Sequence, residues 1–89
     1  MNVYEIAFIT TSEDKAVLKG VEDMIGQFEG KVTQKESWGE RQFAYKLKNL
    51  ASGFYHIWNF TVDASKLKDL KNRFNLDENL IRYLVLKVD

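Results

Sequence analysis

The feature that most limits what this chain can become is the switching of its hydrophobic period, from two to about 3.6 and back, twice. From Val3 to Thr10, Tyr4, Ile6 and Phe8 alternate with Val3, Glu5, Ala7 and Ile9, as in a strand of a sheet covered on one side. From Val17 to Phe28 the spacing lengthens: Val17, Leu18, Val21, Met24, Ile25 and Phe28 recur at steps of three and four, the apolar stripe of a helix. The opposite face carries Glu13, Asp14, Lys15, Lys19, Glu22 and Asp23. Alternation then returns over Lys31 to Leu47 and again over Phe54 to Val62. A short stripe of Leu67, Leu70 and Phe74 precedes a last branched and aromatic run, Leu80 to Val88.

The order is strand, helix, strand, strand, helix, strand. Two such halves make a split βαβ sandwich, an α+β ferredoxin-like plan with a four-stranded antiparallel sheet and both helices on one face. The other face is left open. Thr10 and Glu13 have the spacing of a capping box, with Ser12 as an alternative cap, and Asp63 is placed to cap the second helix. Gly30 is expected to end the first helix in a left-handed conformation, and Gly20 and Gly26 to allow close packing against the sheet. The run from Lys31 to Leu47 is about twice the usual strand length, so Gly39 marks either a hairpin turn or a bulge in one bent strand. Asn49 to Gly53 reads as a turn, and Asn75 to Glu78 as another.

The 89 residues form one domain, 1–89, with no linker, repeat or low-complexity segment. A chain this short buries roughly 60 to 65% of its unfolded surface, and 45% hydrophobic residues suffice for such a core. The absence of cysteine removes disulfide scaffolds, thiolate metal sites and cysteine nucleophiles. The amino terminus lacks a basic segment followed by an apolar one, and no apolar run is long enough to span a bilayer, so a soluble intracellular protein is expected.

Net charge is zero but unevenly distributed. Residues 1–30 carry six acids and two bases, 31–50 two acids and five bases, and 51–89 five acids and six bases. The positive stretch holds Trp38, Gly39 and Arg41 close together and is followed by the aromatic strand Gly53 to Phe60. Together these suggest a surface that binds a ligand without transforming it. His56, the only histidine, lies on the expected core face, carboxylates are scattered over helix surfaces, and there is no glycine-rich phosphate loop. No enzyme activity, metal or cofactor is expected. Base stacking finds weak support, because the outward positions of the first strand include Glu5 and Ala7 where an aromatic platform would be needed. Arg82 and Glu5 are expected to pair across adjacent strands, whereas Arg41 has no acidic neighbour on its own face and is the better candidate to hold an external phosphate.

Tyr4-Glu5-Ile6, Trp38-Gly39-Glu40-Arg41-Gln42-Phe43-Ala44-Tyr45, Gly53-Phe54-Tyr55 and Ile81-Arg82-Tyr83-Leu84-Val85 resemble, in order and spacing, segments of the bacterial ribosomal protein S-six family. The resemblance covers nearly the whole chain. It implies the ferredoxin-like fold, a long bent second strand, and a structural role in the cytoplasmic small ribosomal subunit. It further implies binding to the central domain of the small-subunit ribosomal RNA together with ribosomal protein S-eighteen. By position it makes Tyr4, Arg41, Arg82 and Lys87 the expected RNA or partner contacts. Three departures stand out: Asn2 where the family usually has an arginine, Lys46 where a proline normally follows the alanine and tyrosine, and a chain that stops at Asp89 without a carboxyl tail.

Overall fold

The computed structural model describes residues 2–88. Alternation and helical periodicity place six principal elements: β1 (Asn2–Thr10), α1 (Lys15–Gln27), β2 (Lys31–Leu47), β3 (Leu50–Val62), α2 (Leu67–Asn75) and β4 (Leu80–Lys87). One turn of 3-10 helix, Ala64–Lys66, leads into α2. The sheet runs β2-β3-β1-β4 with every neighbouring pair antiparallel. This is the ferredoxin-like arrangement expected from the period changes.

Period two puts Tyr4, Ile6 and Phe8 of β1 and His56, Trp58, Phe60 and Val62 of β3 on one face, and all seven are buried. Against them pack Val21, Met24 and Ile25 of α1 and Leu70 and Phe74 of α2. Phe8 lies edge-on to Trp58 at 4.9 Å between ring centres and stacks on His56 at 5.0 Å. His56 Nε2 and Thr10 Oγ1 are 3.2 Å apart, so the buried imidazole has a polar partner, and burial holds its pKa below the usual histidine value.

Several local expectations are corrected. The α1 cap is Asp14, whose carboxylate accepts from the Ala16 amide (3.2 Å), while Ser12 Oγ accepts from the Asp14 amide (2.8 Å). Thr10 cannot cap, because it is still inside β1 and its hydroxyl donates to the Ser12 carbonyl. Asp63 caps the 3-10 turn Ala64–Lys66 and not α2, whose N-cap is Lys66 without a side-chain hydrogen bond: the Asp63 carboxylate accepts from the Ser65 amide and hydroxyl, which lower its pKa. After α1 the left-handed residue is Glu29 (φ 63°), not Gly30. Gly30 is required for a different reason, since a Cβ there would lie 2.7 Å from Ile25 Cγ2 and 2.8 Å from the Thr61 carbonyl. Gly20 and Gly26 have no atom within 4 Å of such a Cβ, so close packing does not explain them.

The long second strand is continuous. Gly39, at φ 78°, sits where the β2–β3 ladder shifts between Ser37 and Gly39, which makes it part of a bulge. The β2–β3 turn is only Lys48-Asn49, both left-handed (φ 50° and 64°) as a two-residue hairpin loop requires, so Leu50 to Gly53 belong to β3.

Candidate binding face

The sheet face away from the helices is built in rows set by strand register. One row crosses the sheet as Gly39, Tyr55, Ile9 and Arg82; the next is Glu36, Ile57, Ala7 and Leu84; the third is Gln34, Asn59, Glu5 and Leu86. Because Ala7 is small and central, its neighbours rise around it. The result is a groove of about 520 Å³ lined by Ala7, Ile9, Ile57, Trp38, Leu84 and Arg82. Trp38 is the residue added by the β2 bulge, and its indole N–H donates to Glu36 Oε1 at 2.7 Å, which holds the ring over the groove. Trp38 is 49% exposed, Leu84 58% and Leu86 52%, enough clustered apolar surface to mark an interaction site.

Toward the β2–β3 turn the same face closes over. Gly53 has no room for a Cβ, which would lie 2.6 Å from Ile9 Cγ2, 2.9 Å from Phe43 Cζ and 3.3 Å from Ile81 Cδ1. Those three side chains form a small second core that ties the hairpin to β1 and β4. Arg41, opposite Gly53, stands exposed at the β2 edge of this face, and Arg82 stands exposed across the sheet on β4. Arg82 thus lines the apolar groove, and Arg41 lies on the same face nearer the β2–β3 turn.

The expected pairing of Arg82 with Glu5 is not formed. Arg82 lies opposite Ile9, while Glu5 lies opposite Leu86, four residues farther along β4. Among the described residues the ion pairs are Lys35–Glu22 and Lys66–Glu29, and the second lowers the Glu29 pKa by hydrogen bond and charge. Lys35 belongs to the helix side, its ammonium 4.9 Å from the centre of the Trp58 ring.

Of the four residues singled out from the sequence, Arg41 and Arg82 share the open face. Tyr4 and Lys87 lie opposite each other on β1 and β4, on the helix side and at the other end of the sheet. Lys87 is exposed, but the Tyr4 ring is 4% exposed and stacks on Phe60 at 5.6 Å. The ring is thus a core group, and only the hydroxyl, 3.4 Å from Asn2 Nδ2, lies near the edge. The four do not make one site. Leu84 and Leu86 were missed as binding residues, the available signal being that both fall on the outward period of β4, whereas Trp38, read only as part of a binding stretch, reaches the groove through the bulge.

Residues 3–87 match the sequence profile of the family described as Ribosomal protein S6. The chain belongs to the ribosomal protein S6 family. Small ribosomal subunit protein bS6 of Flavobacterium psychrophilum is 33% identical over 94 residues, covering all of this chain and 83% of its own length. The bS6 protein of Bacteroides thetaiotaomicron is 35% identical, covering all of this chain and 82% of its own length. The crystal structure of 30S ribosomal protein S6 from Thermotoga maritima superposes with a TM-score of 0.84 at 26% identity, covering 98% of this chain and 87% of that one. The four-stranded antiparallel sheet with two helices in βαββαβ order matches that S6 structure. No group of metal-ligating side chains occurs among the described residues, and no helix is long and apolar enough to cross a membrane.

Proposed function

We propose that this chain is a non-catalytic structural component of the small ribosomal subunit in the cytoplasm, binding the central domain of the small-subunit RNA together with ribosomal protein S-eighteen. The single observation that carries the reading is the open face, an apolar groove walled by Trp38 and Leu84 with Arg82 in its lining and Arg41 on the same face nearer the β2–β3 turn. Exposed apolar surface suits a protein partner, and guanidinium groups at the rim suit phosphate or a carboxylate. Zero net charge fits the same division of labour, because a neutral domain gathers little nucleic acid through its general field and gains from a basic partner. Lys87 and the Tyr4 hydroxyl, at the far end of the sheet, are the second proposed contact with RNA.

Titration of small-subunit RNA with the chain, alone and with the S-eighteen protein, tests this directly. Weak binding alone and a large gain on adding the partner are expected. Equal affinity in both conditions, or sedimentation of the chain away from the small subunit on a sucrose gradient, would sink the reading.

A further inference from the structure

A second groove, of about 490 Å³, follows the outer edge of β4 on the side away from β1. Three cations from separate elements line it: Lys48 from the β2–β3 turn, Lys71 from α2 and Arg82 from β4. No carboxylate lines it, and none of the three cations is in an ion pair among the described residues. Its wall is organised. The Tyr83 hydroxyl donates to Asn75 Oδ1 (2.8 Å) and lies 3.1 Å from the Lys71 carbonyl, which occupies the amide oxygen of Asn75 and leaves its N–H groups as the donors.

We propose that this edge groove is an RNA-backbone site in which Lys48, Lys71 and Arg82 hold phosphodiester groups. It rests on the RNA-binding reading above, shares Arg82 and Leu84 with the open-face groove, and extends the contact around the edge of β4 through Lys48 and Lys71. Charge complementarity selects a polyanion. The form of the edge selects RNA over an acidic peptide added as a fifth strand, because Ile81 is an extra residue in β4 where the ladder shifts, and a bulge interrupts the pairing that strand addition needs. A flexible phosphate backbone has no such requirement.

The test uses the full chain and a 12-nucleotide oligouridylate, followed by amide NMR shifts and by affinity against salt. Shifts centred on Lys48, Lys71 and Arg82 are expected, with a loss of about tenfold in affinity in Lys48→Ala/Lys71→Ala/Arg82→Ala and a salt slope shallower by about 2, the value for three lost contacts to a single strand. The charge-keeping variant Lys48→Arg/Lys71→Arg/Arg82→Lys should bind within about threefold of wild type, and the alanine variant's own thermal melt reports whether it is merely unfolded. Oligouridylate binding that the alanine variant retains with an unchanged slope overturns the inference. So does oligoglutamate or inorganic phosphate moving the same amides at equal concentration. Failure to bind oligouridylate by a chain that still sediments with the small subunit overturns this site alone; failure in both assays removes the underlying RNA-binding reading as well.

Discussion

Two glycines, Gly30 and Gly20, separate close approach from helix propensity. Gly30→Ala forces a Cβ to within 3 Å of the Thr61 carbonyl, a backbone atom that cannot rotate away, so a loss of about 2 kcal/mol is expected. A fall in melting temperature of roughly 8 to 16 °C would register that loss. Gly20→Ala should do the reverse, raising stability by about 1 kcal/mol, because the helix gains intrinsic propensity and the added methyl meets nothing. Equal melting shifts of the same sign in the two variants would refute this assignment. His56 makes a separate prediction in pH. Its folded pKa lies below 6.5 because burial disfavours the imidazolium, and the weaker attraction of Glu13 does not restore it. The unfolded chain therefore binds the extra proton first as pH falls below about 6.5, and stability declines from there toward the folded pKa. Glu29 and Asp63 also have lowered values, but carboxylates lose their share only at pH below about 4.5, outside the histidine window. Melting curves between pH 7 and 5 should flatten in His56→Gln, which keeps a polar partner for Thr10.

Regular elements were legible in the sequence because each buries one side only, so alternation and the three-and-four spacing map directly onto β1, α1, β3 and α2. What was not legible came from places where one extra residue resets a register. Arg82 and Glu5 sit on adjacent strands, as read, yet the register sets them four positions apart, with Arg82 facing Ile9, and the extra residue at Ile81 shifts the ladder beyond it by one more. The bulge at Gly39 turns Trp38 into a wall of the groove, a placement that no periodicity encodes. Similarly, the close contacts among Gly53, Phe43, Ile9 and Ile81 join three strands that are distant in sequence, and nothing local announces them. Capping was misread because Thr10, Ser12 and Asp14 are all competent caps, and the end of β1 decides among them. The bulge itself can be tested. Gly39 holds φ 78° with open space around its Cα, so Gly39→Ala suffers backbone strain of about 1 to 2 kcal/mol without a steric clash. Chemical denaturation should show that loss with an unchanged slope, and the Trp38 emission should shift as the bulge relaxes.

At the scale of the whole molecule, helices seal one face of the sheet while the other keeps Trp38, Leu84 and Leu86 half exposed. On the proposed reading, a neutral domain with that surface gains more from covering the face than from its own charge, and partner binding and RNA binding would be coupled through one sheet. The two tryptophans report on opposite sides of this arrangement, Trp38 at 49% exposure and Trp58 at 2%. Adding the S-eighteen protein should therefore blue-shift the emission through Trp38 alone, and Trp38→Phe should abolish the change while Trp58 remains. Leu84→Glu provides the functional counterpart. Its side chain is already exposed, so the unfolding free energy should stay within about 0.5 kcal/mol of wild type. Docking against an apolar partner surface would nonetheless bury an unpaired carboxylate, and a loss of at least about tenfold in partner affinity is expected. RNA affinity measured with the partner present should fall in step, whereas RNA affinity of the isolated chain should change little. If Leu84→Glu bound the partner normally, the open face would not be the docking surface, and the apolar groove around Ala7 would need another occupant.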